Sequence, residues 1–431
     1  MITMPDGTIK QTNPITGRKA WSVPGRARRP IANGIQKELK EIERKERENY
    51  CNFCEAHYLN TPPEKARLIF AENGYRLLSQ VAAEDLFKTT ALFRRVPNLF
   101  EIVTVDYWEK NYNYRLSPQN ALWKKLYLST EEGRRHVLNA IKTKLQLLGL
   151  NPEEIEARRE EEKFDLADAF FGGSHELIVA RRHYREDAKY DFQFCSSGDL
   201  TQEEHAQYFL FTTLALQDIC ANNRYVRYVA VFQNWLRDAG ASFDHLHKQL
   251  VGLDEWGIAI EREVAQIREN PNMYNQLAVN FAAYQNRVIA ENDSAIAFAD
   301  IGHRFPTLAI YSKSHHLRPF EQTQQEIRDF SNIVHGLHTA LGSTIPCNEE
   351  WFYCPKDCLD KIPWHVLLEL RISTEAGFEG GTRLHINPIS PFELRDQIVP
   401  RLYELRDHRI VGGFRIAEEC PVETNPLRYN G

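Results

Sequence analysis

A recurring order of elements constrains this chain more than any single motif does. From 175 to 250 it reads strand, helix, strand, turn, strand. HELIVARRHY is β-prone, a helix runs from the cap-like Thr201 through TQEEHAQYFLFTTLALQDICANN, and RYVRYVAVFQN leads through a small-residue turn into another strand. The order then returns. AIAFADIGHRFPTLAIYSKSHH holds two strands, FEQTQQEIRDFSNIVHGLHTALG a helix, and NEEWFYCP and PWHVLLELRI two more strands. Self-similarity of this kind points to an internal duplication. An α+β fold is therefore expected, in two halves, 1–255 and 256–431, each an antiparallel sheet with flanking helices. Residues 101–170 interrupt the scheme with helical apolar spacing and heavy charge, which predicts a mostly helical surface insertion. A long amphipathic helix is expected over about 258–290, and a Gly-rich loop at GFEGG before the closing strand and helix.

At 431 residues, 42% hydrophobic and 26% charged, the chain fits a soluble globular protein with a large core. Its net charge of -6 gives no electrostatic footprint for nucleic acid. No apolar run approaches the roughly 20 residues of a membrane span, so no membrane partner is expected. The N-terminus lacks the apolar core of a secretory signal. Eight cysteines in so long a chain, two of them as Cys51-x-x-Cys54, suggest reduced thiols and a cytoplasmic location.

The chemistry gathers in FQNWLRDAGASFDHLHKQL, residues 232–250. If His245 to Gln249 is extended, His245, His247 and Gln249 share one face and Leu246, Lys248 and Leu250 the other. Lys248 then faces away from any phosphate on the histidine side. The turn Gly240-Ala241-Ser242 lets backbone N–H groups approach an anion. A neutral imidazole is a competent nucleophile at phosphorus, its unperturbed pKa being about 6.5. By itself, a His-x-His equally suits a core or surface pair. Cys51-x-x-Cys54 is open between zinc, redox chemistry and chance, and zinc needs about four ligands, so two more must come from elsewhere. Arg26, Arg28 and Arg29 form either a solvated basic loop or a clamp whose paired donors match phosphate oxygens.

Taken together, these residues make the chain resemble the galactose-1-phosphate uridylyltransferases of the histidine-triad superfamily. F-x-N…G-A-S-x-x-H-x-H-x-Q matches without gaps from Phe232 to Gln249. Other pieces fall in the family's order: Arg26-Ala-Arg28-Arg29-Pro30, Cys51-x-x-Cys54 with TPPE, Arg95-Val-Pro97-Asn98, His175-Glu-Leu-Ile-Val…His183, and Gly377-Phe-Glu379…Ile386-Asn-Pro388. The last resembles a loop of the broader family, including relatives that use ADP-sugars.

The resemblance implies a duplicated histidine-triad-like fold and a homodimer. It implies a Cys2His2 structural zinc (Zn2+) site of Cys51, Cys54, His183 and His245, with His247 as covalent nucleophile. Gln249 and Ser242 would stabilise the phosphate oxygens. Arg26, Arg29, Asn98, Asn234, Gly240 and Glu379 would contact substrate. The implied reaction passes a nucleoside monophosphate from a nucleotide-sugar, an NDP-hexose, to a sugar 1-phosphate through a nucleotidyl-histidine. With phosphate or water as acceptor, the same histidine makes a phosphorylase or hydrolase of an NDP-sugar or dinucleoside polyphosphate. A zinc-stapled nucleotide-binding module is the non-enzymatic alternative.

The chain departs from many members at Asp244, Leu246 and Lys248, which stand where Pro, Pro and Gly are frequent. Some members carry a second metal on C-terminal histidines and a glutamate. Here His365 survives but position 367 is Leu, so a second metal is not expected. His315-His316 and the pair Cys354-x-x-x-Cys358 read as surface residues and packing respectively.

Overall fold

The computed structural model describes residues 1–25, 40–43, 49–72 and 74–430. Arg26, Arg28 and Arg29 lie outside the described residues, as does most of the charged stretch 35–50.

Three short strands open the chain: β1 (Ile2–Thr3), β2 (Ile9–Thr12) and β3 (Lys19–Ser22). The first half then supplies β4 (Ala66–Ala71), β5 (Gly74–Ser79), β6 (Ala91–Pro97), β7 (His175–Ala180), β8 (Tyr228–Trp235) and β9 (His247–Leu253). The second supplies β10 (Val288–Glu291), β11 (Ala295–Asp300), β12 (Thr307–Ser312), β13 (Cys347–Phe352), β14 (His365–Leu370), β15 (Leu384–Asn387) and β16 (Arg415–Ile416).

Twelve of these strands form one sheet, in the order β16-β10-β11-β12-β14-β13-β8-β9-β7-β6-β4-β5. Within it two antiparallel sets of strands run together as one sheet, joined where β8 pairs with β13. For the first five strands outward from that seam the order is the same on either side, so an approximate two-fold axis passes through it; the outermost strands differ, β5 following β4 in sequence and β16 coming from the end of the chain. Phe232 opposite Gln249 in the first half corresponds to Glu350 opposite Leu367 in the second. A smaller sheet, β1-β2-β3-β15, has its one parallel pair between β3 and β15. Through that pair the N-terminal segment, close in sequence to the first half, packs on the second. Asn13 also donates to the Ile301 carbonyl, at 2.9 Å.

The repeat is visible down to its caps. The helix Gln202–Asn222 opens on the capping box Thr201/Glu204, and Gln324–Leu341 on Thr323/Glu326. Both helices cover the same face of the sheet. Phe209 stacks near Trp351 (centroids 4.8 Å) and Phe330 on Trp364 (4.0 Å), giving the two halves one continuous core. Residues 101–170 fold into helices, led by Val105–Tyr112, Pro118–Tyr127 and Glu131–Leu147. They bury Trp123, Val137, Ile141, Phe170 and Phe171 in a cluster of their own.

Two expected elements come out differently. The helix over 258–290 stops at Glu269, because Pro271 supplies no N–H and restricts the residue before it. Helical turns resume at Tyr274–Asn280 and Phe281–Tyr284 before β10. GFEGG is not a loop but the short helix Gly377–Thr382, with the Glu379 carboxylate accepting the Ala376 N–H at 2.9 Å. Among the described residues no helix is long and apolar enough to cross a membrane.

Candidate functional site

The site is built where β9 begins. Leu236 and Gly240 both take positive φ (66° and 88°) to turn the chain out of β8, and Gly adopts that conformation without a Cβ penalty. The amides of Gly240 and Ala241 are consumed inside this turn, on the carbonyls of Arg237 and Leu236. The expected anion-facing amides therefore shift along the chain. Among the described residues, the N–H groups of Ser242, Phe243 and Asp244 carry no hydrogen bond. Ser242 itself is exposed.

Alternation then divides the side chains of β9. Lys248 crosses to the helix-covered face, where it is fully buried and pairs with Glu349 at 2.7 Å. Burial pushes its ammonium below the ordinary lysine range. Burial would also raise Glu349, but Lys248 and His338 outweigh it and hold that carboxyl at about 2, so the pair is ionised.

His245 and His247 go to the open face and do different things. His245 meets Cys51, Cys54 and His183 in a compact group. The two sulfurs are 3.8 Å apart, sulfur-to-Nδ1 distances run from 3.4 to 3.8 Å, and the two Nδ1 atoms are 3.1 Å apart. A tetrahedral zinc ion, with bonds of about 2.3 Å to sulfur and 2.0–2.1 Å to nitrogen, spaces its ligand atoms by about 3.4–3.8 Å. The geometry fits a metal ion such as zinc. The donor chemistry agrees. His245 Nε2 donates to the Ala180 carbonyl at 2.7 Å, which leaves its Nδ1 lone pair directed into the group. The two Nδ1 atoms and two sulfurs lie close enough to one another to share a single ion.

His247 is almost fully buried, and its Nδ1 lies 2.7 Å from the His245 carbonyl. Nδ1–H therefore donates, and the Nε2 lone pair is presented. Burial lowers its pKa to about 4. The ring of Phe53, from between the two cysteines, packs beside it with centroids 5.3 Å apart. Phe53 also touches Phe243 (4.7 Å) and His245 (5.9 Å), so one aromatic ring links the cysteine loop, the turn and both histidines.

The two amides of the site are each fixed by their oxygen. Gln249 Oε1 lies 3.1 Å from His175 Nε2. His175 Nδ1 accepts the Ile102 N–H at 3.1 Å, so the ring, kept neutral by burial, carries its proton on Nε2 and donates to Gln249. Asn234 Oδ1 likewise accepts from Asn348 Nδ2 at 2.7 Å, and the same nitrogen donates to the Ala239 carbonyl at 2.8 Å. Arg371 holds the Asn348 oxygen at 2.8 Å. Both Gln249 and Asn234 thus present NH2 groups. With Nε2 of His247 and the free turn amides, the arrangement offers one nucleophile among several donors, as an oxyanion requires.

The expected residues come together unevenly. Asn98 adjoins His175, its Nδ2 3.0 Å from the same Nε2, and its oxygen is taken by the Phe100 N–H. Arg95 is committed to Glu176 and to Asp218. Glu379 lines a different cavity whose walls include none of the residues around His247. Phe53, His175 and Asn348 were not singled out as site residues by sequence. His175 and Phe53 sat inside matched segments. Asn348 had no local signal, since its partner Asn234 lies 114 residues away.

Among solved structures, an ADP-glucose phosphorylase from Arabidopsis thaliana, with bound ADP-glucose, superposes with a TM-score of 0.59 and 15% sequence identity. The match covers 91% of this chain and 97% of that one. A GalT-like protein from the same plant gives 0.56 and 15%, over 91% and 98% of the two chains. The chain therefore shares the fold of these two proteins. No curated protein matches the chain in sequence. One family model, described as a domain of unknown function, DUF4921, matches residues 4–429, and the chain belongs to that family.

Proposed function

We propose that this chain is a nucleotidyltransferase that carries a nucleoside monophosphate from a nucleotide-sugar to a phosphate-bearing acceptor through a covalent intermediate on His247. The observation that carries this reading is the paired locking of Gln249 and Asn234, whose oxygens are occupied and whose NH2 groups are left on the sheet face that carries His247. In the first step the Nε2 lone pair bonds to the α-phosphorus. The bond from that phosphorus to the bridging oxygen breaks, and sugar 1-phosphate leaves with the electron pair. In the second, an acceptor phosphate oxygen attacks the same phosphorus and His247 is released. Charge on the non-bridging oxygens meets the NH2 groups of Gln249 and Asn234 and the amides of Ser242 to Asp244.

Cys51, Cys54, His183 and His245 would hold zinc, whose chemistry here is that of a structural cross-link in a closed four-ligand set. The sugar 1-phosphate acceptor follows from the uridylyltransferase-like residues 232–249. Inorganic phosphate is the second acceptor to test, because the similar fold that spans 91% of the chain belongs to an ADP-glucose phosphorylase.

Intact mass after incubation with UDP-glucose or ADP-glucose tests the reading. A UMP or AMP adduct is expected on the parent chain and absent in His247→Ala. Chasing the adduct with glucose 1-phosphate, galactose 1-phosphate or phosphate then names the acceptor. If neither donor leaves an adduct on the parent chain when no acceptor is present to discharge it, covalent transfer is wrong.

A further inference from the structure

We propose that Cys354 and Cys358, which the sequence alone reads as packing, are a redox-active dithiol that exchanges with a small organic disulfide and closes a disulfide across the loop between β13 and β14. The two thiols converge on one atom. Cys354 Sγ lies 3.3 Å and Cys358 Sγ 3.5 Å from the Asp360 carbonyl oxygen. A turn closed by the Cys358 N–H on the Pro355 carbonyl, at 3.2 Å, folds the chain back between them. Cys354 is 1% exposed and Cys358 7%, but the neighbours of Cys358 stand in solvent, Leu359 at 98%. Cys358 thus lies just under the surface, and a small disulfide meets it before Cys354.

The chemistry suits that order of attack. Cys354 can donate to a Cys358 thiolate and holds the Cys358 pKa down at about 7, so much of it is the nucleophilic form at neutral pH. Burial pushes Cys195 the other way, up to about 11. The Cys358 thiolate bonds to one sulfur of the small disulfide, whose S–S bond breaks, and one thiolate leaves with the electron pair. Cys354 then passes its proton to that thiolate and attacks Cys358 Sγ, and the second small thiolate leaves. Two protein thiols are oxidised and one disulfide is reduced to two thiols. The loop so closed is stitched to the first half. The Lys356 N–H donates to the Arg227 carbonyl at 3.1 Å, and Tyr353 Oη to the Val229 carbonyl at 2.6 Å. Asp357 pairs with Arg227 at 2.5 Å and accepts the Trp256 Nε1–H at 2.7 Å. The cross-link therefore steadies the start of β8 and the segment after β9. None of this depends on the transfer reaction proposed above.

Incubation of the folded full chain with glutathione disulfide tests the pair. After the remaining thiols are blocked, non-reducing tryptic digestion cuts at Lys356, between the two cysteines. The disulfide is expected as peptide 357–361 joined to peptide 329–356. Cys347→Ser, which removes the other cysteine of the longer peptide, should keep the link. Cys354→Ser should abolish it and leave glutathione on Cys358. In the parent, Cys358 should react about a hundredfold faster than Cys195. Hydrogen exchange of the Lys356 amide should slow about threefold on oxidation. The parent's linked peptide and the rate comparison need no variant to fold. Absence of the linked peptide, a link that survives Cys354→Ser, or Cys358 no faster than Cys195 would each overturn the dithiol. Equal Lys356 exchange in the two forms would overturn its hold on the strands.

Discussion

At the scale of single residues, the site works by committing the wrong ends of its amides. Gln249 has a donor and an acceptor end, and only the donor end serves an anion. His175 decides which end is shown, by occupying Oε1. His175 is thus a positioning residue for Gln249, and the two should not act independently. Gln249→Ala should slow adduct formation by about 10²-fold, the scale of losing one oxyanion donor. His175→Ala should cost less, about tenfold, and nothing further when Gln249 is already Ala, because its only route to the phosphate has gone. Single-turnover rates of the four proteins measure this, and equal multiplicative losses in both backgrounds would disprove the linkage. Lys248 makes the converse case. It lies between two site residues in sequence and on the far side of the sheet in space. Its role is with Glu349, so Lys248→Met should destabilise by about 3–5 kcal/mol through the buried charge left behind. Lys248→Met with Glu349→Gln should recover most of that loss in a denaturant titration.

At the scale of elements, strand alternation made much of this legible. Once His245 to Gln249 is read as extended, the faces of His247, Gln249 and Lys248 follow from a period of two. The Cys51, Cys54, His183 and His245 group was readable only through a resemblance, because Cys51 and His183 are 132 residues apart and no local pattern joins them. What the sequence hid is how the cysteine loop acts on the strand. Phe53 stands between the two ligands and packs on His247, so holding the loop also holds the ring. Stripping the metal with a chelator should therefore lower both thermal stability and adduct formation, with metal content and activity falling in proportion. Phe53→Ala separates the two effects. It should keep the full metal content, lose about 3 kcal/mol of stability as a large buried aromatic is removed, and still lose adduct formation. The same hidden geometry explains the elements misread in the second half. Apolar spacing continued past Pro271 while the backbone could not, and a Glu three residues beyond Ala376 turned three glycines into a helix.

At the scale of the molecule, the duplication supplies two equivalent frames and equips one. The same 118-residue step carries Phe232 to Glu350, His247 to His365 and Gln249 to Leu367. His365 even keeps its Nδ1 at 3.0 Å from the carbonyl two residues upstream, as His247 does at 2.7 Å. It is nonetheless packed against Tyr311 and Phe352, with centroids 4.6 and 5.2 Å away, and Leu367 stands where Gln249 stands in the first half. In the proposed reaction the second half would act instead through the seam. Asn348, on β13, holds the Asn234 oxygen and the Ala239 carbonyl at once, and so fixes both a donor of the site and the turn before β9. Because Asn348 is remote from the reacting atoms, Asn348→Ala should bind metal normally and retain the fold, yet slow adduct formation about tenfold, the share of one hydrogen bond at about 1.4 kcal/mol. Asn348→Asp distinguishes positioning from packing. It fills the same space and can still pair with Arg371, but it donates nothing to Asn234 and adds a negative charge toward a phosphate site. If the seam positions the donors, Asp should be slower than Ala. If Asn348 merely fills space, Asp should be faster, and single-turnover rates with matched melting curves decide between them.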